Sequence, residues 1–281
     1  MPNRPPGWVD PVMRIGYAAR GVVYVIVGAL SFMATIDGGR TPDSRSALGT
    51  LLQLPFGKIL LALVAIGLVA YAVWCVVGAS LDLDDKGSDA KGWTARAAQM
   101  ASGAVHLALA FSAGALATGT NSNGGGGDRT DHWTATFMQQ PAGRWLVALL
   151  GVGVIALGVQ QFIKAFREEY KQDIRATAMA RRLDPLLKMG LVAHGVVTAI
   201  VGGFFIWAAW TADPSRAGGM RDALLFIRTA DASQTLFTVL GIGLIGFAAY
   251  CFVEAAFRIV PRCRPPDMQT LATRARAFIT R

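Results

Sequence analysis

Polar side chains recur at corresponding positions of separate apolar segments in this sequence. Tyr24, His106 and Thr198 each lie near the middle of such a segment and are called the polar layer here. Their hydroxyl and imidazole groups can donate and accept hydrogen bonds, so together they could bind a small solute or pass a proton. The alternative is local packing, in which each residue contributes one hydrogen bond worth about 0.6 kcal/mol.

A second set of residues carries charge and is called the charged group, comprising Arg20, Lys164, His194 and Glu254. Unpaired charges in apolar surroundings cost several kcal/mol, so the pattern predicts pairing within the group or a wet cavity beside it. A structural role is the alternative. Lys164 would then extend toward water, and Glu254 would pair with Arg258 one helical turn further on.

Six apolar segments must position these residues, and each is long enough to cross a bilayer as a helix of about 20 residues. They lie roughly at 15–36, 57–81, 97–118, 144–167, 186–210 and 235–259. The 281 residues are 53% hydrophobic and only 16% charged, which is typical of a multi-pass membrane protein. The predicted fold class is therefore all-α, a six-helix transmembrane bundle surrounded by the lipid bilayer.

The six segments form three copies of a helix pair. Residues 10–28 and 184–202 are identical at ten of nineteen positions. The copies align through glycines, with Gly21, Gly103 and Gly195 in the first helices and Gly67, Gly153 and Gly243 in the second helices. We predict three parallel two-helix repeats around a pseudo-threefold axis along the membrane normal. Their bounds are 10–85, 92–170 and 184–260, followed by a basic amphipathic tail at 261–281 that is expected to contact anionic lipid.

Basic residues predict the orientation. Of the 27 Lys and Arg residues, 19 lie on the side of the N-terminus, so the positive-inside rule predicts that both termini are cytoplasmic. The net charge of +9 then reflects topology, and we expect no nucleic-acid partner. Asp10 and Asp184, each followed by proline, are expected to be helix N-caps. The segment 166–184 is expected to continue the fourth membrane helix beyond the bilayer.

No motif in the sequence indicates catalysis. The three cysteines and three histidines lack metal-ligand spacing, and no serine lies in a nucleophile elbow. A haem between His106 and His194 is disfavoured, because the two positions are offset by about 6 Å along their helices. We therefore expect no enzymatic activity, no cofactor and no bound metal.

Several stretches carry a resemblance to a known family, among them ARGVVY from Ala19, QLPFGKILLALVAIGLVAY from Gln53 and ADPSRAGG ending at Gly219. They resemble a bacterial family of integral membrane proteins catalogued as domain of unknown function 1206. The resemblance covers essentially the whole chain. It implies a six-helix protein of the bacterial cytoplasmic membrane with threefold repetition, and it implies no reaction. The middle copy departs from the pattern, with Ser102 in place of the arginine and His106 in place of the tyrosine.

Two functions fit these features. We favour a small-solute or ion channel or transporter-like protein, lined at the midplane by the polar layer and closed on the cytoplasmic side by the charged group. The alternative is a non-catalytic structural or interaction subunit of a membrane complex, with a membrane-protein partner. A continuous water-filled path would favour transport, whereas a tightly packed axis beside a broad exposed apolar face would favour the partner-binding role.

Overall fold

The computed structural model describes residues 7–36, 44–119, 134–136, 138–139, 142–175, 177–229, 233–260 and 270. Helices account for nearly all of these residues: α1 (Val9–Ile36), α2 (Ser44–Gln53), α3 (Gly57–Leu81), α4 (Ala90–Thr118), α5 (Gly143–Phe166), α6 (Tyr170–Asp173), α7 (Ala178–Arg182), α8 (Asp184–Thr211), α9 (Met220–Thr229) and α10 (Ser233–Phe257). Six of the described helices, namely α1, α3, α4, α5, α8 and α10, are long and apolar enough to cross a membrane. The predicted all-α fold with six membrane helices is confirmed.

Two helix starts differ from the prediction. Asp10 is the second residue of α1 and pairs with Arg14 at 2.7 Å, while Asp184 is the first residue of α8 and follows Leu183 at the N-cap. The N-cap assignment is therefore wrong at both positions. Both aspartates instead lie in the first turn, where a negative charge interacts favourably with the helix dipole and a proline is tolerated.

The segment 166–184 is not a continuation of α5, so that prediction is wrong. The helix ends at Phe166, Glu168 adopts a left-handed backbone with φ of 57°, and the short helices α6 and α7 follow. Between those two helices the chain crosses the end of α10, where the Arg175 amide donates to the Phe257 carbonyl at 2.8 Å. These tertiary hydrogen bonds replace the ones that a longer α5 would have made.

Packing between the membrane helices follows the repeats. The most extensive interfaces join neighbouring repeats and pair α1 with α10, α3 with α4, and α5 with α8. Within repeats, α1 packs on α3 and α8 packs on α10. In order of contact the helices run α4, α3, α1, α10, α8 and α5. The arrangement is a ring of six helices that is open at one seam, and the three equivalent interfaces between repeats agree with the threefold organisation.

The seam lies between α4 and α5, the two helices of the middle repeat. The described residues of these helices make no interface comparable with the other neighbouring pairs. A Cβ added at Gly67 would collide with Ala19, and one added at Gly243 would collide with Ala193, because those helices cross in close contact. The corresponding Gly153 on α5 has no atom within 4 Å of such a Cβ. The middle repeat therefore lacks the helix crossing that the other two repeats share.

Glycines hold α5 in place from its other side. A Cβ added at Gly202 would lie 2.7 Å from the Gly151 carbonyl oxygen, and one at Gly158 would lie 2.8 Å from the Gly195 carbonyl oxygen. Small residues allow helix backbones to approach this closely in lipid, where van der Waals packing is the main source of association. Thus α5 packs closely against α8 through Gly151 and Gly158, while Gly153 on another face of α5 borders the seam.

Candidate functional site

Arg20 is buried between α1, α3 and α10 and is only 8% exposed. Its Nη1 donates to the Tyr71 hydroxyl at 2.9 Å. The guanidinium carbon also lies 4.9 Å from the ring centroid of Phe247, 5.1 Å from that of Tyr71 and 5.6 Å from that of Tyr24. These cation–π contacts are worth about 2 kcal/mol or more each when desolvated. The cation therefore sits in an aromatic cage built by α1, α3 and α10.

This cage contains no carboxylate partner for Arg20. None of the ion pairs among the described residues includes Arg20, and its buried Nε has no hydrogen-bond partner. The Tyr71 hydroxyl, which accepts from Arg20, lies 3.5 Å from the Ser102 hydroxyl. We call Arg20, Tyr71 and Ser102, together with the two adjacent histidines, the axial site.

The two histidines contact the aromatic rings of the axial site. His194 stacks on Phe247 with centroids 3.9 Å apart, and its Nε2 lies 3.0 Å from the Tyr24 hydroxyl. Its buried Nδ1 has no partner. His106 lies beside Tyr71 with centroids 4.6 Å apart, and its Nδ1 is 2.8 Å from the Ser102 carbonyl oxygen. A carbonyl oxygen only accepts, so this contact assigns the His106 proton to Nδ1.

The members of the polar layer lie inside the bundle, but each makes its own separate hydrogen bond. Tyr24 on α1 contacts His194 on α8. Thr198 donates to the His194 carbonyl at 2.8 Å within its own helix, as His106 does to Ser102. Among the described residues, no hydrogen bond joins Tyr24, His106 and Thr198 to one another. The layer therefore consists of separate local contacts around the aromatic rings.

The structure does not gather the charged group into one cluster. Arg20 and His194 lie in the axial site, while Lys164 and Glu254 lie nearer the end of the bundle where α1 begins and α10 ends. Lys164 donates to the Tyr250 hydroxyl at 2.9 Å and lies 3.9 Å from Asp173. The reason for the separation is helical position, since Glu254 comes only three residues before the end of α10.

Glu254 is fully buried and pairs with Arg258 one turn further on. Arg258 also binds Asp84 at 3.0 Å, beyond the end of α3, and its guanidinium carbon lies 5.4 Å from the Tyr17 ring. We call Glu254, Arg258 and Asp84 the end network. It links α10 with the turn after α3, and this is the pairing that the structural alternative anticipated for Glu254.

The ionisation of the end network follows from its neighbours. Burial opposes the charged form of Asp84, but Arg258 and Lys86 outweigh burial, so the pKa of Asp84 lies below its usual value. Burial likewise opposes the charged form of Arg258, yet Glu254 and the nearby Tyr17 and Asp84 raise its pKa well above the usual value. Arg258 is therefore a permanent cation held between two carboxyl groups.

Sequence reasoning missed several of these partners. Tyr71 and Phe247 occupy equivalent positions in the second helices, so the repeat alignment contained a signal for the aromatic cage. Asp84 lies in a turn and Asp173 lies in the linker after α5. Both lie outside the aligned helices, so the repeat alignment could not identify them. Among the described residues, no three His, Cys, Asp or Glu side chains are grouped so as to hold a metal ion.

The fold and the comparisons with known proteins together define a multi-pass membrane protein built from three copies of a helix pair. The profile of the family described as Domain of Unknown Function (DUF1206) matches the chain three times, at residues 15–82, 97–168 and 189–258. This chain belongs to that family. It is also similar to an uncharacterized protein of Bacillus subtilis, YxxB, with 31% identity over 255 residues that cover 89% of this chain and 92% of the relative. No solved structure matches the chain.

Proposed function

We propose that this protein is a membrane transport protein that binds an anion-bearing solute at the axial site. The observation that carries the proposal is Arg20, a buried guanidinium surrounded by aromatic rings without a carboxylate among its described neighbours. A buried charge without a counter-ion costs several kcal/mol, and cation–π contacts offset only part of that cost. An anionic ligand would complete the coordination of Arg20, and the hydroxyls of Tyr71 and Ser102 could hydrogen-bond to it.

The proposed pathway is closed at one end by the ion pairs of the end network. Arg258 joins α10 to the turn after α3 through Glu254 and Asp84. With the excess of basic residues on this side, we propose that the end network faces the cytoplasm of a bacterium and that both termini lie there. A solute leaving the axial site toward the cytoplasm would have to pass this network, so its opening would accompany transport. The proposal involves no catalytic reaction.

The test begins with ligand binding. The melting temperature of purified protein would be measured with chloride, inorganic phosphate, acetate and short-chain phosphatidylglycerol, because a ligand that binds the folded state raises it. We expect at least one anion to stabilise the wild type and to lose that effect in Arg20→Gln. Arg144→Gln is the matched control, since it removes an equal charge from an exposed position at the start of α5.

Anions that stabilise the protein would then be tested for protein-dependent transfer across liposome membranes. We expect transfer by the wild type and the Arg144→Gln variant, and loss of transfer in Arg20→Gln. Folded wild-type protein that neither binds nor moves any of these anions would overturn the proposal.

One observation favours the alternative role as an interaction subunit. Of the helices described, α5 packs extensively only against α8, and large apolar residues such as Trp145 and Leu149 are exposed on it. A membrane helix of a partner protein could cover that surface. Cross-linking in native membranes followed by purification would detect such a partner, and a single stoichiometric protein cross-linked through α5 would support this role.

A further inference from the structure

The middle repeat, which contains the seam between α4 and α5, differs from the other two repeats at a position of close helix contact. In the first repeat, a Cβ added at Gly16 would lie 2.5 Å from the Tyr71 Cα, and in the third repeat one at Gly190 would collide with the backbone of Phe247. The equivalent position in the middle repeat is Ala98. The middle repeat therefore lacks the glycine that permits close helix contact in the other two repeats. The opening coincides with this residue difference.

Polar residues occur on both sides of this opening. On α4, Ser102 and His106 belong to the axial site and contact Tyr71. On α5, Gln160 lies on the same helical face as Gly153 and is exposed within a membrane-spanning helix. A polar side chain facing hydrocarbon is unfavourable, whereas the same side chain beside a polar headgroup or water is well solvated. The opening thus offers a polar lining between two apolar outer surfaces.

The positive charge of Arg20 gives the opening a preference for anionic ligands. Arg20 lies within the membrane-spanning segment Val9–Met33, about one helical turn before Tyr24 of the polar layer. Its buried Nε has no partner, and no carboxylate faces it among the described residues. A ligand that entered sideways through the seam would meet this cation inside the bundle.

We propose that the solute is an anionic phospholipid, whose headgroup enters the seam between α4 and α5 and passes Arg20 while its acyl chains stay in the bilayer. This inference rests on the proposed transport function and names its substrate class. The charge of the headgroup complements Arg20, and the exposed apolar residues of α4 and α5 provide the surface along which the acyl chains travel. The movement transfers the lipid between leaflets and makes or breaks no covalent bond.

The experiment follows fluorescent phosphatidylglycerol and phosphatidylcholine from one leaflet to the other in vesicles that contain the full chain. Gly153→Trp fills the seam. Gly203→Trp is its matched control, because Gly203 also has no atom within 4 Å of an added Cβ but lies on α8. Gln160→Leu removes the polar lining without adding bulk, so it tests the seam even if Gly153→Trp does not fold. We expect transfer of phosphatidylglycerol in preference to phosphatidylcholine by wild type and Gly203→Trp.

In Arg20→Gln, Gly153→Trp and Gln160→Leu we expect transfer at the rate of protein-free vesicles. Uptake of inorganic phosphate by the same preparations separates the two hypotheses. Arg20-dependent phosphate uptake without lipid transfer would overturn the lipid substrate and leave the transport function standing. Folded protein that transfers no lipid and neither binds nor moves any of the anions tested above would overturn both hypotheses. Lipid transfer at the wild-type rate in the seam variants would overturn the lateral route.

Discussion

Replacing Glu254 by Gln removes one of the two carboxyl groups that hold Arg258. The side chain of Glu254 is fully buried, and Arg258 is 7% exposed, so water cannot replace the lost partner. Removing one member of a buried ion pair costs about 3–5 kcal/mol. Asp84 still contacts Arg258 at 3.0 Å in the variant, which favours the lower end of that range, about 3 kcal/mol.

For a chain of this size each kcal/mol changes the melting temperature by roughly 2–4 °C, so Glu254→Gln should lower it by roughly 6–12 °C. The measurement is thermal unfolding of the detergent-solubilised protein, followed by circular dichroism. Arg216→Gln provides the control, because it breaks an exposed pair with Asp213 that is worth at most about 1 kcal/mol. Adding Asp84→Asn to Glu254→Gln should lower the melting temperature further, since Arg258 then has neither carboxyl group.

An equal effect of Glu254→Gln and Arg216→Gln would refute this reasoning. It would mean that Glu254 and Arg258 do not form the buried ion pair on which the magnitude depends. Improved stability in Glu254→Gln would refute it as well, because it would show that desolvation of the pair outweighs its attraction.

Three further outcomes test other parts of the structure. Since Arg258 holds the pKa of Asp84 below its unfolded value, the stability from Asp84 should be present at neutral pH and lost below about pH 4, so acid titration of the melting temperature should be flatter for Asp84→Asn. Gly67→Ala should destabilise by about 1–3 kcal/mol through overpacking, whereas Gly153→Ala should be neutral or stabilise by up to about 1 kcal/mol through helix propensity; comparative unfolding measures both. Thr198→Val should cost only about 0.6 kcal/mol in the same assay, as expected for one interhelical or local hydrogen bond in a membrane.

The fold was largely predictable because its determinants are repeated and local. Apolar length predicts the six spans, and glycines such as Gly21 and Gly195 align the repeats regardless of the loops between them. The linker after α5 was not predictable in this way. Its helical pattern is overridden at Glu168 by a left-handed turn and by hydrogen bonds to the end of α10, which lies more than 80 residues away in the chain.

The axial site was predictable in position but not in partners. Helical spacing places Arg20 and Tyr24 on one face of α1. It places their homologues His194 and Thr198 on the equivalent face of α8, and both faces are predicted to point into the bundle. Spacing alone says nothing about which second helix presents a ring to Arg20 or which carboxyl group reaches Arg258. Those choices depend on how α3 and α10 cross α1, and these crossings depend on contacts of Gly16 and Gly28 that appear only in three dimensions. The predicted tail at 261–281 lies outside the described residues apart from Thr270.

The interface between α1 and α10 has a consequence for the order in which the protein assembles. Helix α10 begins 197 residues after the end of α1, yet their interface is among the three most extensive of the described helices. During synthesis α1 enters the membrane well before α10, so its glycine face and Arg20 acquire Phe247 and the other α10 partners only later. Until then the aromatic cage around Arg20 lacks the ring of Phe247. A ribosome-bound chain lacking α10 should therefore be an early substrate for membrane quality control, and co-expression of α10 as a separate segment should rescue it.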